Sequence, residues 1–271
     1  MGRAPGLHEP AVPDALLCVG AGKTLYIGAL DDVGWHLHGA PVIIAGLAGA
    51  FRLRLPGGDW TWCRSAVIPA GIRHALDLGG DPLAVFYPEP NVAGLSALAT
   101  LGRHWSPRER ILLGMSPAPG VLRELYEHPA SLEWSGEALD DLVGHARHGG
   151  GEPPLDARLA RVLAFLDGRP EDLTRASRIA REQGLSESRF LHLFSERIGV
   201  PFRRYRIWNR VRAAMRLALD GSSFTDAALH AGFADSAHFA RSFRETFGVT
   251  PSYVFGKVAR AGALPTARLT A

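Results

Sequence analysis

The sequence predicts an α+β chain in two parts. A small N-terminal barrel or sandwich of short strands, with helices trailing it, precedes an all-helical C-terminal domain built on two helix-turn-helix units. Three observations predict this. Between Thr24 and Pro88, six apolar runs of five to ten residues are separated by Gly-, Pro- and Asp-rich turns, the spacing of short strands. From Leu155 onward, apolar residues recur three and four apart, the helical period. A segment from Leu173 to Val200 is repeated from Phe224 to Val249 at an offset of about 48 residues, which marks an internal duplication.

Residues 1–15, rich in Pro and Gly, read as a loose arm. Gly20-Ala-Gly-Lys-Thr24 looks like a phosphate loop, but Leu17 stands where that pattern needs its first Gly, and a strand follows. Residues 16–90 then hold the candidate strands TLYIGAL, PVIIAGL, FRLRL, WTWCRSAVIP, HALDL and LAVFYP. Alternation in Phe51-Arg52-Leu53-Arg54-Leu55 buries one face. Six such strands in this span fit a closed or two-sheet β-architecture.

Two clusters in that span carry chemistry. His36-Leu37-His38 places two imidazoles together, and Pro69-Ala-Gly71-Ile-Arg-His74 supplies a third after a Pro-Gly turn. Three neutral imidazoles suit a divalent metal; the bland reading is structural hydrogen bonding. Trp35, Trp60 and Trp62 add aromatic surface, of which Trp35 and Trp62 are candidates to line a ligand pocket with His36, His38 and His74. Cys63, beside Arg64, reads as a buried thiol rather than a reactive one.

Residues 91–148 change character. LSALATL, RERILLGM, GVLRELYEH and GEALDDLVGHAR have helical spacing, broken by Pro107, Pro117, Pro119 and Pro129. They either cover the barrel or form a homodimer interface. Residues 149–154, three Gly, a Glu and then two Pro, read as a linker.

The C-terminal domain, residues 155–256, opens on a helix with a stripe of Leu159, Val162, Leu163 and Leu166. Each repeat then has a short Ala-rich helix, a Gly for the turn (Gly184, Gly232), an N-cap (Ser186, Asp235) and a second helix. Phe190 and Phe194 in one copy answer Phe239 and Phe243 in the other as buried positions. Between the copies, Pro201 to Leu219 reads as a long helix burying Trp208, Val211, Met215 and Leu219. Arg203, Arg204, Arg206, Arg210 and Arg212 take its other positions. Residues 257–271 read as a tail, the chain losing order after Pro251.

Charge is uneven. The net +3 of the 271 residues conceals 18 Arg or Lys against 11 Asp or Glu between Asp156 and Arg260, a balance that suits a polyanion. Two cysteines are too few for a disulfide framework. No signal layout and no long apolar run are present, so a cytoplasmic protein with no membrane partner is expected.

Residues 155 to 255 resemble the DNA-binding domain of the AraC/XylS family of bacterial transcription regulators. The resemblance rests on Gly232-Phe233, Phe239, Arg241, Phe243, the run from Phe247 to Pro251, Tyr253, and Arg-Val-Arg-Ala-Ala at 210–214. Tyr253 stands one place closer to the Pro than is usual there. The N-terminal half more loosely resembles a cupin, whose motifs carry HxH and PxGxxH. The Glu that cupin metal sites add after HxH is missing, with Ala40 to Ile43 in its place.

The resemblance implies seven helices in the C-terminal domain and two recognition helices entering adjacent major grooves, one helical turn apart. Ser188, Leu191 and His192 fall at base-reading positions of the first head, and Ala237, His238, Ala240 and Arg241 at those of the second. Arg241 suits a bidentate pair with guanine. Arg178, Arg189 and Arg244 suit phosphates. The expected function is a sequence-specific transcription regulator, not an enzyme, controlled by a small effector in the barrel. Its partners would be double-stranded DNA, the effector, RNA polymerase when it acts as an activator, and a second copy of the chain. The alternative is a metal-binding cupin, a metal sensor or metal-dependent enzyme, joined to a DNA-binding domain, with a divalent metal at His36, His38 and His74.

Overall fold

The computed structural model describes residues 15–20, 22–88, 98–101, 103–116, 120–127 and 155–260. The expected arm to residue 14, the helix GEALDDLVGHAR, the linker at 149–154 and the tail from 261 lie outside the described residues.

Eleven strands among the described residues form two antiparallel sheets. The larger sheet comprises β1 (Ala15–Gly20), β2 (Lys23–Ala29), β9 (Pro82–Pro88), β4 (Val42–Gly46), β7 (Ser65–Ile68), β11 (Ile111–Gly114) and β10 (Trp105–Arg108), in that spatial order. The smaller sheet has β3 (Val33–His36), β8 (His74–Asp77), β5 (Phe51–Arg54) and β6 (Thr61–Cys63). The Gly20–Thr24 stretch is the tight hairpin of β1 and β2, with Gly20 opposite Lys23.

The larger sheet is buried on both faces, which is why strands such as VIIAG read as unbroken apolar runs. Ile27, Ile43 and Phe86 point to one side, toward Leu98 and Leu122. Tyr26, Ile44 and Val85 point to the other, into the core that also takes Phe51, Leu53 and Leu76 of the smaller sheet. That smaller sheet keeps an open face. In β5, Phe51 and Leu53 are buried and Arg52 and Arg54 face outward, as the alternation requires.

Two sequence expectations change. WTWCRSAVIP is two strands in different sheets, turning at Arg64, whose N–H donates to Gly114 O and whose carbonyl accepts from the Gly46 N–H, each at 2.8 Å. RERILLGM, expected as a helix, is most of the β10–β11 hairpin. Ile111 and Leu113 alternate inward and the free edge of β7 takes their backbone. Pro107 fits an edge strand and would break a helix. Helix α1 (Gly120–Glu127) forms as expected.

The C-terminal domain has seven helices, as the family resemblance implies. α2 (Ala157–Gly168) buries the expected Leu159, Val162, Leu163 and Leu166. α3 (Ala176–Glu182) and α4 (Glu187–Ile198) form the first unit, and α6 (Phe224–His230) and α7 (Ser236–Phe247) the second. α5 (Phe202–Leu219) joins them. The chain does not fade after Pro251: α8 (Pro251–Arg260) follows, with Val254 buried and Phe255 edge-on to Phe224 at 5.2 Å.

The arginines of α5 do not form one free face. Arg206 donates to the carbonyls of Thr174 and Asp172, and Arg210 to that of Pro170 at 3.2 Å, so both hold the turn between α2 and α3. Arg212 is buried and reaches the other domain. A single buried apolar cluster runs from the sheets through the helices.

Candidate DNA-reading face and a buried histidine seam

The two helix-turn-helix units are built alike. Gly184 and Gly232 take φ of 68° and 83° at the turns, a conformation side chains resist. Ser186 Oγ accepts the Arg189 N–H at 3.3 Å, and Asp235 accepts the His238 N–H at 2.6 Å. These caps satisfy orphan donors at the first turn. Phe190 and Phe194, like Phe239 and Phe243, are fully buried. That burial rolls the opposite side of each helix toward solvent. On α4, Ser188, Arg189 and His192 are exposed and Leu191 is half-buried; on α7, Ala237, Arg241 and Arg244 are exposed. Ala240 and His238 are half-buried, with the His238 ring edge-on to Phe233 at 5.2 Å. Arg178 lies on α3 and pairs with Glu182 at 3.1 Å. His192 lies 3.9 Å from Glu196.

The far ends of both units rest on the sheets. The α7 C-cap, Gly248, has φ 76°, and a side chain there would meet Val33, Gly34 and His36 within 2.5–2.9 Å. The Leu37 N–H donates to Glu245 O at 3.3 Å. The α4 C-cap, Gly199, lies against Ala70, and Gly71 sits under the Gly199 carbonyl. Between them, Trp208 of α5 presses on Gly39, where a Cβ would come within 2.4 Å of it. Tyr87, Trp208 and Phe247 form an aromatic triangle with centroids 5.3–5.8 Å apart. Arg212 donates to Gly20 O at 2.6 Å and to Thr24 Oγ1 at 3.0 Å. Tyr253 Oη donates to the Asp31 carboxylate at 2.6 Å and accepts the Asp31 N–H at 3.0 Å.

The three histidines converge in this seam. His36 is opposite His74 in the β3–β8 pair. Their centroids are 4.3 Å apart, with His38 at 4.7 and 4.9 Å from the two. All three are at most 4% exposed. Burial, then the charge of its histidine neighbours, holds His36 and His38 well below the usual imidazole range, and burial takes His74 down to about 4. The three rings are therefore neutral at physiological pH.

The helix-turn-helix domain family matches residues 179–256. The regulatory protein PocR of Salmonella typhimurium is 28% identical over 102 residues, 37% of this chain and 34% of PocR. The chain thus spans about a third of that curated relative. ToxT of Vibrio cholerae shares the fold across both domains. An apo variant superposes with a TM-score of 0.60 at 15% identity, covering 88% of this chain and 98% of ToxT. Wild-type ToxT bound to an unsaturated fatty acid gives 0.54 at 16%, covering 92% and 97%. Residues 179–256 are thus similar to a helix-turn-helix domain family, and the whole chain to the ToxT fold.

The remaining candidates fall away from the helical domain and from the histidines. Trp35 and Trp62 are 40% and 62% exposed. Trp35 lies under Arg54 and Arg73, and Trp62 beside Arg52, on the open face of the smaller sheet. Trp62 also edges an open groove of about 420 Å³ shared with Cys63, Pro107, Arg108 and Met115. That groove does not include the histidines, so the structure splits the expected ligand residues into two places. Cys63 is fully buried and its thiol is pushed up to about 12 by that burial, which leaves it inert. The contacts of Gly39, Arg212 and Tyr253 with the opposite domain had no signal in the sequence, because only the docking of two domains creates their partners. Among the described residues no helix is long and apolar enough to cross a membrane.

Proposed function

We propose that the protein is a sequence-specific DNA-binding transcription regulator, and not an enzyme, whose N-terminal sheets receive a small organic effector. The observation that carries the reading is the pair of capped, Phe-anchored helices that leave Arg189, His192, Arg241 and Arg244 to solvent within an AraC-type domain. Ser188, Leu191 and His192 read bases from the first head, and Ala237, His238, Ala240 and Arg241 from the second. Arg189, Arg244 and Arg178 hold phosphates, Arg178 exchanging its Glu182 partner for one.

The effector reading draws support from ToxT, which shares the fold and has been solved with an unsaturated fatty acid bound. In this chain the groove beside Trp62 offers apolar surface with Arg108 as a cationic anchor. A homodimer through residues 91–148, contact with RNA polymerase and a cytoplasmic location complete the reading.

The test is Arg241→Ala. On a duplex selected by the wild-type protein from a random pool, affinity falls by about 1–3 kcal/mol and one base position relaxes. An equal loss on unselected duplex would make Arg241 a phosphate contact and remove it from base reading.

A further inference from the structure

The open face of the smaller sheet carries a ladder that neither the DNA-reading face nor the histidine seam uses. Arg73 lies over the Trp35 ring at 5.6 Å, and Arg54 over the same ring at 5.8 Å. Arg54 also approaches Trp60 at 5.9 Å, and Arg52 stands between Trp60 and Trp62 at 5.7 and 5.6 Å. Six side chains thus alternate, guanidinium with indole, across the sheet. Strand register sets up the alternation. Arg52 is opposite Trp62 on β6 and Asp77 on β8, and residues directly opposite share a face. The indoles of Trp35, Trp60 and Trp62 are 40%, 38% and 62% exposed. Three large rings left in water on one face are an informative exception to burial.

Charge divides the ladder. Arg52 is ion-paired to Asp77, and Asp32 gathers at that same carboxylate. At the other end, Arg54 donates to the Gly58 carbonyl at 3.0 Å and Arg73 is exposed. Among the described residues neither of these two pairs with a carboxylate. Two uncompensated guanidiniums therefore flank Trp35, which suits an anion. Small ligands bind in clefts that enclose most of their surface. An open face lacks that enclosure and suits a polymer that adds contact to contact. Four strands about 4.8 Å apart give a track of about 14 Å, room for a short run of nucleotides. Flat rings stack any base, and guanidiniums take the phosphates between. Four-stranded sheets with exposed aromatic side chains hold single strands in this way. An acidic peptide would satisfy Arg54 and Arg73 but leave the indoles without flat partners, and a duplex hides its base faces.

We propose that this face binds single-stranded DNA, with bases stacked on Trp35, Trp60 and Trp62 and phosphates held by Arg54 and Arg73. The choice of DNA over RNA rests on the duplex-reading role proposed for the helical domain, which brings the face to DNA at high local concentration. The ladder itself does not depend on that role. Trp62 is shared with the groove proposed for the effector, so the test relies on Trp35 and Arg73, which are not among the residues lining it.

The full chain carrying Arg189→Ala and Arg241→Ala, which removes two duplex-facing arginines, is titrated while tryptophan fluorescence is read. The probes are a thymidine dodecamer, its uridine counterpart, a dA·dT duplex of the same length and a glutamate decamer. The thymidine dodecamer quenches the indoles, and the duplex and the glutamate decamer do not. Its affinity falls with log salt at a slope of about −1.4, from two phosphates at about −0.7 each. Trp35→Ala weakens binding by about 5–100-fold with circular dichroism unchanged. Arg73→Ala reduces the salt slope by about 0.7, whereas Arg161→Ala, on the exposed side of α2, changes neither reading. A wild-type chain that selects no duplex yet is quenched by the dodecamer sinks the duplex-reading role and supports the ladder. Absence of quenching, tighter binding of the uridine or glutamate probe, or unchanged affinity in both Trp35→Ala and Arg73→Ala overturns the proposal.

Discussion

The two helix-turn-helix units share a sequence pattern and a local geometry but not a footing. Both end in a left-handed Gly, at 86° for Gly199 and 76° for Gly248. At Gly199 the sheet domain leaves ordinary van der Waals room, with Ala70 3.6 Å from where a Cβ would stand. At Gly248 no room remains, and Leu37 adds a backbone hydrogen bond to Glu245. The second head is welded to the sheets; the first merely leans on them. Duplication therefore copied a helix-turn-helix unit, and the neighbouring domain made the copies unequal. From Gly248, α7 carries Arg241 about 10 Å and His238 about 15 Å away, at 1.5 Å per residue.

Three perturbations sharpen or break that contrast. The largest is Trp208→Ala. This fully buried ring touches Tyr87 and Phe247 and fills the space over Gly39. Truncation costs about 3–5 kcal/mol in denaturant unfolding. Native-state hydrogen exchange then shows protection lost sooner in α7 than in α4, and equal loss would deny the asymmetry. Next comes the pair Gly248→Ala and Gly199→Ala. Both incur the left-handed backbone cost of about 1–2 kcal/mol. Only the first also forces overlap with Val33 and Gly34, bringing its total to roughly 2–4 kcal/mol. Matching values from chemical denaturation would mean that the seam at Gly248 yields freely. The smallest is Ser186→Ala, which removes the α4 cap for about 1 kcal/mol. Its effect on amide protection stays within α3 and α4, since no seam contact uses that residue.

Much of the helical domain was legible residue by residue. The stripe of Leu159, Val162, Leu163 and Leu166, both N-caps and both turn glycines are local signals, and local signals survive any packing. The six apolar runs likewise marked strands, FRLRL by its alternation and runs such as PVIIAGL by short unbroken apolar stretches between turn residues. The hairpin at Trp105–Gly114 was misread as helix since a short apolar run carries no decisive period, and the vacant edge of β7 settled the matter. The α5 arginines were misread for a related reason. Helical spacing places Arg206, Arg210 and Arg212 on a helix but says nothing of the carbonyls that wait beside them. His36, His38 and His74 were visible as a set, but their convergence in the seam was not.

By itself the sequence determined the helices of the C-terminal domain, most of the strands, the duplicated helix-turn-helix units and most of the residues each unit shows to solvent, since caps, glycines and apolar periods act over a few residues. Only the tertiary structure decided that the sheets grip one unit harder than the other, and that three buried imidazoles meet within 4.3–4.9 Å where the domains join. Those outcomes depend on groups far apart in the chain, brought together by burial of a common core that no local pattern encodes.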